Sequence, residues 1–323
     1  MNNELQNNKL TVREYLKISC PYSDIIEYYQ KLSNSKSQIQ NMFPSKILHW
    51  LFYLKISSCN CTSEVKNSKF SPGGHFYQVS KAIKLPLVVN EGSGLVRSAK
   101  DSTFWTLNDG GGKAEIYEIN KRGKLLKELL IPNTKNQDWE EITRDEKGHL
   151  FIGDFGNNEN TRKDLVIYKF PENQPNKLEK IQFHYADQKA FPPNKKDLNF
   201  DCEAFFALGD SLYLFSKNRG DKSVKLYIMP SLAGVYTLVP QEKIFLKTMV
   251  TGAALSPNKK IFALLTYGKV FLFYIGNQGV SLKKPLLCIK FAHKQTEGIT
   301  FLTDETMLIS NEQGEMFEVR ISK

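Results

Sequence analysis

A chain of 323 residues with 41% hydrophobic and 12% aromatic residues is long enough to bury a large core and too apolar to be a disordered tail. Its formal net charge of +10 comes with no RNP-like, zinc-finger or helix-turn-helix pattern, so the lysines, scattered through Asn/Lys-rich turns, read as a solvated basic surface and not as a nucleic-acid interface. Among the five cysteines only Cys59 and Cys61 are close, which argues against a zinc site and a disulfide framework; Cys202 and Cys288 read as buried thiols in or beside strands.

Residues 1–41 are rich in Asn, Lys, Gln and Ser, with short helical patterns near 11–17 and 23–32 but no sustained apolar face; they are expected to be poorly ordered. Residues 42–59 differ. Met42 and Lys46 precede an apolar run, 47–54, that is too short to span a membrane, and the segment ends in Ile56-Ser57-Ser58-Cys59. That tetrapeptide resembles a bacterial lipobox, in which the cysteine is lipidated. Two readings stand: a signal-like segment with Cys59 as the lipid anchor, or an ordinary buried helix. On the first, residues 60–75 are a tether and the protein sits in the cell envelope, periplasmic or extracellular; on the second it is cytoplasmic.

From 76 to 323 the chain repeats itself. Five short apolar strands are entered through similar steps: Ser93-Gly94-Leu95, Glu140-Glu141-Ile142, Glu203-Ala204-Phe205, Thr251-Gly252-Ala253 and Glu297-Gly298-Ile299. About fourteen residues after each, a polar cluster closes a second strand: Asn108-Asp109, Asp154, Lys217-Asn218, Thr266-Tyr267 and Asn311-Glu312. A period of 40–50 residues, each repeat reading strand–turn–strand–loop–strand–turn–strand, predicts an all-β propeller of five four-stranded blades, with six possible if residues 171–200 or the N-terminal region hide another. Repeat three is read with its outer strand at 235–245. Repeat five ends without an outer strand, and the segment from Phe76 to Asn90 is expected to supply it and close the ring.

In a propeller the first strand of each blade lines the axis, so Ser93, Glu140, Glu203, Thr251 and Glu297 are expected at one level and Asp109, Asp154, Lys217, Tyr267 and Asn311 at a second. Glu140, Glu203 and Glu297 are the candidate ligands for Ca²⁺ or Mg²⁺, hard cations that take oxygen. Asp109, Asn157, Lys217 and Asn311 are candidate ligand-binding residues, Lys217 doubling as a neutralising charge. The bland alternative is that the acidic residues only hold backbone amides and channel water. Two loops flank the ring: one runs from Gly153 to Arg162, the other is Ser216-Lys217-Asn218-Arg219. Arg162 and Arg219 suit an anionic ligand, and with Asp154 as a base they form the candidate catalytic set. Asn157 and Asn158 equally suit turns. His149, His184 and His293 share no metal spacing, and no nucleophile elbow or Walker loop is present.

The stretches Trp105-Thr106-Leu107-Asn108-Asp109-Gly110, Asp138-Trp139-Glu140-Glu141-Ile142-Thr143, Ile152-Gly153-Asp154-Phe155-Gly156-Asn157-Asn158, Phe200-Asp201-Cys202-Glu203-Ala204-Phe205 and Leu214-Phe215-Ser216-Lys217-Asn218 resemble a family of mostly uncharacterised bacterial propeller proteins. More distantly the chain is similar to phytase-like, SdiA-regulated and gluconolactonase-type propellers. The resemblance implies an exported, calcium-dependent propeller, some relatives being hydrolases. The expectation is therefore an exported, membrane-tethered, monomeric propeller that binds a small or anionic ligand or a divalent cation at its axial face. The alternatives are a metal-dependent hydrolase of phosphate esters or lactones and a cytoplasmic interaction scaffold.

Overall fold

The computed structural model describes residues 61, 69–72, 77–100, 102–292 and 295–322. The expected N-terminal extension, the signal-like segment and Cys59 lie outside the described residues. Three short strands come first: β1 (Ser71–Pro72), β2 (Tyr77–Val79) and β3 (Ile83–Lys84). Blade I follows with β4 (Gly92–Arg97), β5 (Thr103–Asn108), β6 (Glu115–Asn120) and β7 (Leu125–Leu130). Blade II has β8 (Trp139–Arg144), β9 (His149–Asp154), β10 (Leu165–Pro171) and β11 (Glu179–Tyr185). Blade III has β12 (Cys202–Leu208), β13 (Ser211–Ser216) and β14 (Ser223–Pro230), then β15 (Gly234–Leu238) and β16 (Glu242–Phe245). Blade IV has β17 (Val250–Leu255), β18 (Ile261–Thr266), β19 (Lys269–Tyr274) and β20 (Pro285–Lys290); blade V has β21 (Thr296–Thr303), β22 (Thr306–Asn311) and β23 (Glu315–Ile321).

The protein is a five-bladed β-propeller. The inner strands β4, β8, β12, β17 and β21 pack in sequence order, and β21 packs back on β4, which closes the ring. Blade V is completed as expected, by β2 pairing antiparallel with β23. Residues 171–200 contribute no further blade. The middle strands are buried on both faces, so they read as continuous apolar runs such as Phe262-Ala263-Leu264-Leu265. Outer strands alternate: Ile181, Phe183 and Tyr185 point inward, while Gln182 and His184 are exposed. The core is divided into five apolar clusters, one between each pair of neighbouring blades. Between blades III and IV, for example, Phe215 stacks on Phe262 at 5.6 Å, and Phe262 stacks on Phe273 at 4.8 Å.

Three expectations are corrected. The outer strand read as 235–245 is two strands in two sheets: β15 pairs parallel with β11 of blade II, and only β16 completes blade III. Of the stretch 60–75, read as a tether, the described residues 61 and 69–72 join the propeller: Phe70 is buried against Phe271 and Phe273, and β1 pairs parallel with β20. Cys288 is not a free thiol, because it forms a disulfide with Cys61. Cys202 is a buried free thiol, as read.

Candidate functional site

The repeated motif has a structural cause. In blades II to V the pairing of the first two strands skips one residue of the inner strand, and the skipped residue is Glu140, Glu203, Thr251 or Glu297. In blade I the skip falls one place later, on Gly94 (φ +59°). Each is a β-bulge, which frees a residue from the ladder and re-aims its side chain, here at the axial mouth of the ring. The hydroxyls of Ser93, just before the blade I bulge, and of Thr251 stitch blades together: Ser93 donates to the Glu140 carbonyl, and Thr251 donates to the Thr296 carbonyl at 2.6 Å.

The second level is shifted by one residue for two of its five members. Asp154 and Asn311 are the last residues of β9 and β22, whereas Asp109, Lys217 and Tyr267 each follow the last residue of their strand. Glu312 is the true counterpart in blade V, and Phe155 in blade II. Asn311 is committed to its hairpin, accepting from the Glu315 amide at 2.9 Å and donating to the Glu315 carboxylate at 3.2 Å. Asp154 accepts from the Asp138 amide at 3.1 Å and pairs with Arg162 at 2.9 Å. Arg162 also donates to the Gly156 carbonyl at 2.9 Å, and Asn157 accepts from the Arg162 amide and donates to the Phe200 carbonyl. These residues, expected as base, anion site and ligand contact, clamp the loop 154–164.

The axial carboxylates can be matched with partners one by one. Glu203 is paired with Lys217, whose ammonium also donates to the Tyr267 hydroxyl at 3.2 Å, and it lies 3.5 Å from Arg219. Burial pushes the Glu203 carboxyl up, yet the contact holds the buried Lys217 above its usual range, and we read the pair as ammonium and carboxylate. Asp201 is fully buried and pairs with Arg219 at 3.1 Å, while accepting from the Asn157 and Cys202 amides. Glu297 is raised by burial and hydrogen-bonds Glu312, which makes it the protonated donor of that carboxyl pair.

Three carboxylates have no ion pair among the described residues. Ligand atoms of Asp109, Asp138 and Glu140 lie within 4.8 Å of one another. Asp109 accepts from the Gly110 amide at 2.5 Å. Glu140 is 4% exposed, and among the described residues no hydrogen bond or ion pair reaches its carboxylate. Burial raises all three, Asp138 to about 6, and neighbouring carboxylates add to the shift, while Lys217 pulls Asp109 and Glu140 back and Arg162 pulls Asp138 back without reversing it. Glycine is needed where the backbone passes the cluster: a Cβ at Gly156 would sit 2.2 Å from Glu140 Oε1, and one at Gly110 would sit 2.4 Å from Asp138 Oδ1. The cluster shares Glu140 with the expected triad and replaces Glu203 and Glu297, which have other partners, by Asp109 and Asp138.

Glu141, which no pattern had singled out, lies below this level and is fully buried. Its carboxylate accepts from the Ile142 amide at 3.0 Å and the Ala253 amide at 3.2 Å, and also from the Leu95 amide, so it ties together the inner strands of blades I, II and IV. Beyond it, toward the opposite mouth, is a cavity of about 260 Å³ walled by Leu95, Ile142, Phe206, Ala253, Ile299 and Phe301.

No family model matches this chain, and no curated protein matches it. Among solved structures it is similar to the β-propeller domain of Myceliophteria thermophila Cps50 (Swd1), with 9% identity and a TM-score of 0.42 over 76% of this chain and 100% of that one. It is also similar to a chain of a mitotic checkpoint complex, with 11% identity and a TM-score of 0.39 over 71% of this chain and 63% of that one.

Proposed function

We propose that this chain is a binding propeller whose axial face takes a divalent cation, Ca²⁺ or Mg²⁺, on Asp109, Asp138 and Glu140. The observation that carries the reading is the carboxylate accounting: the other acidic groups named at that mouth have an ion pair or a shared proton, whereas among the described residues these three have neither, and Lys217 and Arg162 act on them only at a distance. Burying like charges together is costly, and a hard cation with oxygen ligands is the partner that removes the cost. The candidate base Asp154 and its neighbours are held in a loop clamp, which favours binding over hydrolysis. Export belongs to the same proposal. The Cys61–Cys288 bridge suits an oxidising compartment, and the lipobox-like Cys59 stands two residues before it.

Calorimetric titration of the full chain with CaCl₂ and with MgCl₂ tests the site. Binding is expected for the wild type, lost in Glu140→Gln and kept in Glu203→Gln; wild type that takes up neither metal overturns the reading. Palmitate labelling tests the tether, with incorporation expected in the wild type and absent from Cys59→Ala. An unlabelled wild type ends that part of the proposal.

A further inference from the structure

The charge of this molecule is not spread evenly. Residues 243–296 hold nine lysines and not one Asp or Glu, which leaves 35 basic against 34 acidic residues in the rest of the chain. Nearly the whole net charge of +10 therefore belongs to the end of blade III and to blade IV. The scattered surface read from the sequence is in fact one basic sector.

Within blade IV four of the lysines gather at one edge. Strand β17 runs from the axial mouth to the turn holding Lys259 and Lys260, and β19 runs the same way to Tyr274 before the connection that ends at Lys283 and Lys284. Two backbone bonds join the turns, from the Ile275 amide to the Lys260 carbonyl at 2.8 Å and from the Tyr274 amide to the Lys284 carbonyl at 2.9 Å. All four lysines are exposed. Lys259 reaches Glu146 and Lys283 lies 3.4 Å from Glu242, while Lys260 and Lys284 have no ion pair among the described residues. Beside them Tyr274 is 47% exposed and Leu286 is 39% exposed. Lysines around an exposed tyrosine and leucine match a bilayer interface: the ammonium groups meet anionic headgroups, and the two apolar side chains enter the headgroup boundary. A phosphodiester backbone has no use for the leucine.

We propose that this edge of blade IV docks on an anionic phospholipid surface. The covalent path agrees, because the bridge from Cys61 lands on Cys288 in β20, the strand that starts at this edge. The docking rests on charge and exposed side chains and not on the axial cation; the lipid tether of the preceding section would reinforce it but is not required.

The test uses the full chain carrying Cys59→Ala, so that no acyl chain contributes. It is sedimented with vesicles of phosphatidylcholine alone and of phosphatidylcholine with phosphatidylglycerol, at low and high salt. Binding is expected only with phosphatidylglycerol, and high salt should remove it. The triple change Lys260→Glu, Lys283→Glu, Lys284→Glu should weaken it on the order of 100-fold. The milder pair Lys260→Gln and Lys284→Gln should weaken it about 30-fold. The same charge change placed elsewhere, Lys135→Glu, Lys195→Glu, Lys196→Glu, should cost far less. An unchanged urea unfolding midpoint in the blade IV variants shows that the fold is intact. Equal binding to neutral vesicles, an equal loss in the control triple, or binding to single-stranded RNA in place of vesicles overturns the proposal.

Discussion

Glu140 and Glu203 occupy the same place in the repeat, on the same kind of bulge, and differ in everything that follows. Glu203 meets Lys217, which stands just after β13 of its own blade. In blade II that place belongs to Phe155, which turns away into the apolar cluster between blades II and III. Glu140 is left facing Asp138 and Asp109. The bulge sets where a side chain points, and one residue after the next strand decides whether it meets an ammonium or faces other carboxylates.

The largest effect should come from breaking the balanced side. Lys217→Met leaves the buried Glu203 carboxylate with Arg219 alone, at 3.5 Å, and removing one partner of a buried pair costs about 3–5 kcal/mol. Urea unfolding of the metal-free protein should show that loss. Glu140→Gln, at the equivalent position, should do the reverse and raise stability by on the order of 1–2 kcal/mol, because it relieves a like-charge contact. Added Ca²⁺ should erase the difference by stabilising only the wild type. Equal losses in both variants would mean that the two arcs of the ring are chemically alike.

A smaller effect is expected below the cluster, at Glu141. Glu141→Gln keeps the shape but turns one acceptor into a donor facing backbone amides, and leaving such groups unsatisfied costs about 2–3 kcal/mol. Because the carboxylate joins three inner strands, the loss should appear as faster amide exchange, with protection failing together at Leu95, Ile142 and Ala253. Protection lost at one strand alone would mean that the tie is local.

The ring and its closure were legible because they rest on period and on apolar runs, which the chain states openly. The site was legible only in part. Asp138 lies two residues before Glu140, and the strand period of two that puts both on one side was available as a signal. Glu141 was hidden by its neighbour, since a Glu-Glu step does not say which carboxylate faces the mouth. The level holding Asp109, Lys217 and Tyr267 was read with Asp154 and Asn311 because each polar cluster spans two residues, and one step along a strand changes face. The Cys61–Cys288 bridge joins residues 227 apart, a pairing no spacing rule contains. The crossing of β15 into blade II was hidden because its partner β11 lies a whole repeat earlier in the chain.

A contrasting carboxylate away from the axis sharpens the lesson. Glu172 accepts from Ser98, from the Ala99 amide and from the Trp105 indole at 2.8–3.1 Å, and it pairs with Arg144 at 2.8 Å, so it rivets blade I to blade II. Burial raises this carboxyl, but the Ala99 amide, Trp105, Ser98 and Arg144 together hold it below the ordinary value of 4.5. A group whose folded value is lowered gives stability that is complete above its unfolded value and lost as pH falls through the folded one. Glu172→Gln should therefore cost about 1–2 kcal/mol at neutral pH. The gap between variant and wild type should close as pH is lowered from about 5 to 3, because the wild-type carboxyl then takes up its proton and lets go of the same partners. A gap that stays constant across that range would show that Glu172 acts through its shape and not its charge, and the rivet would then be packing alone.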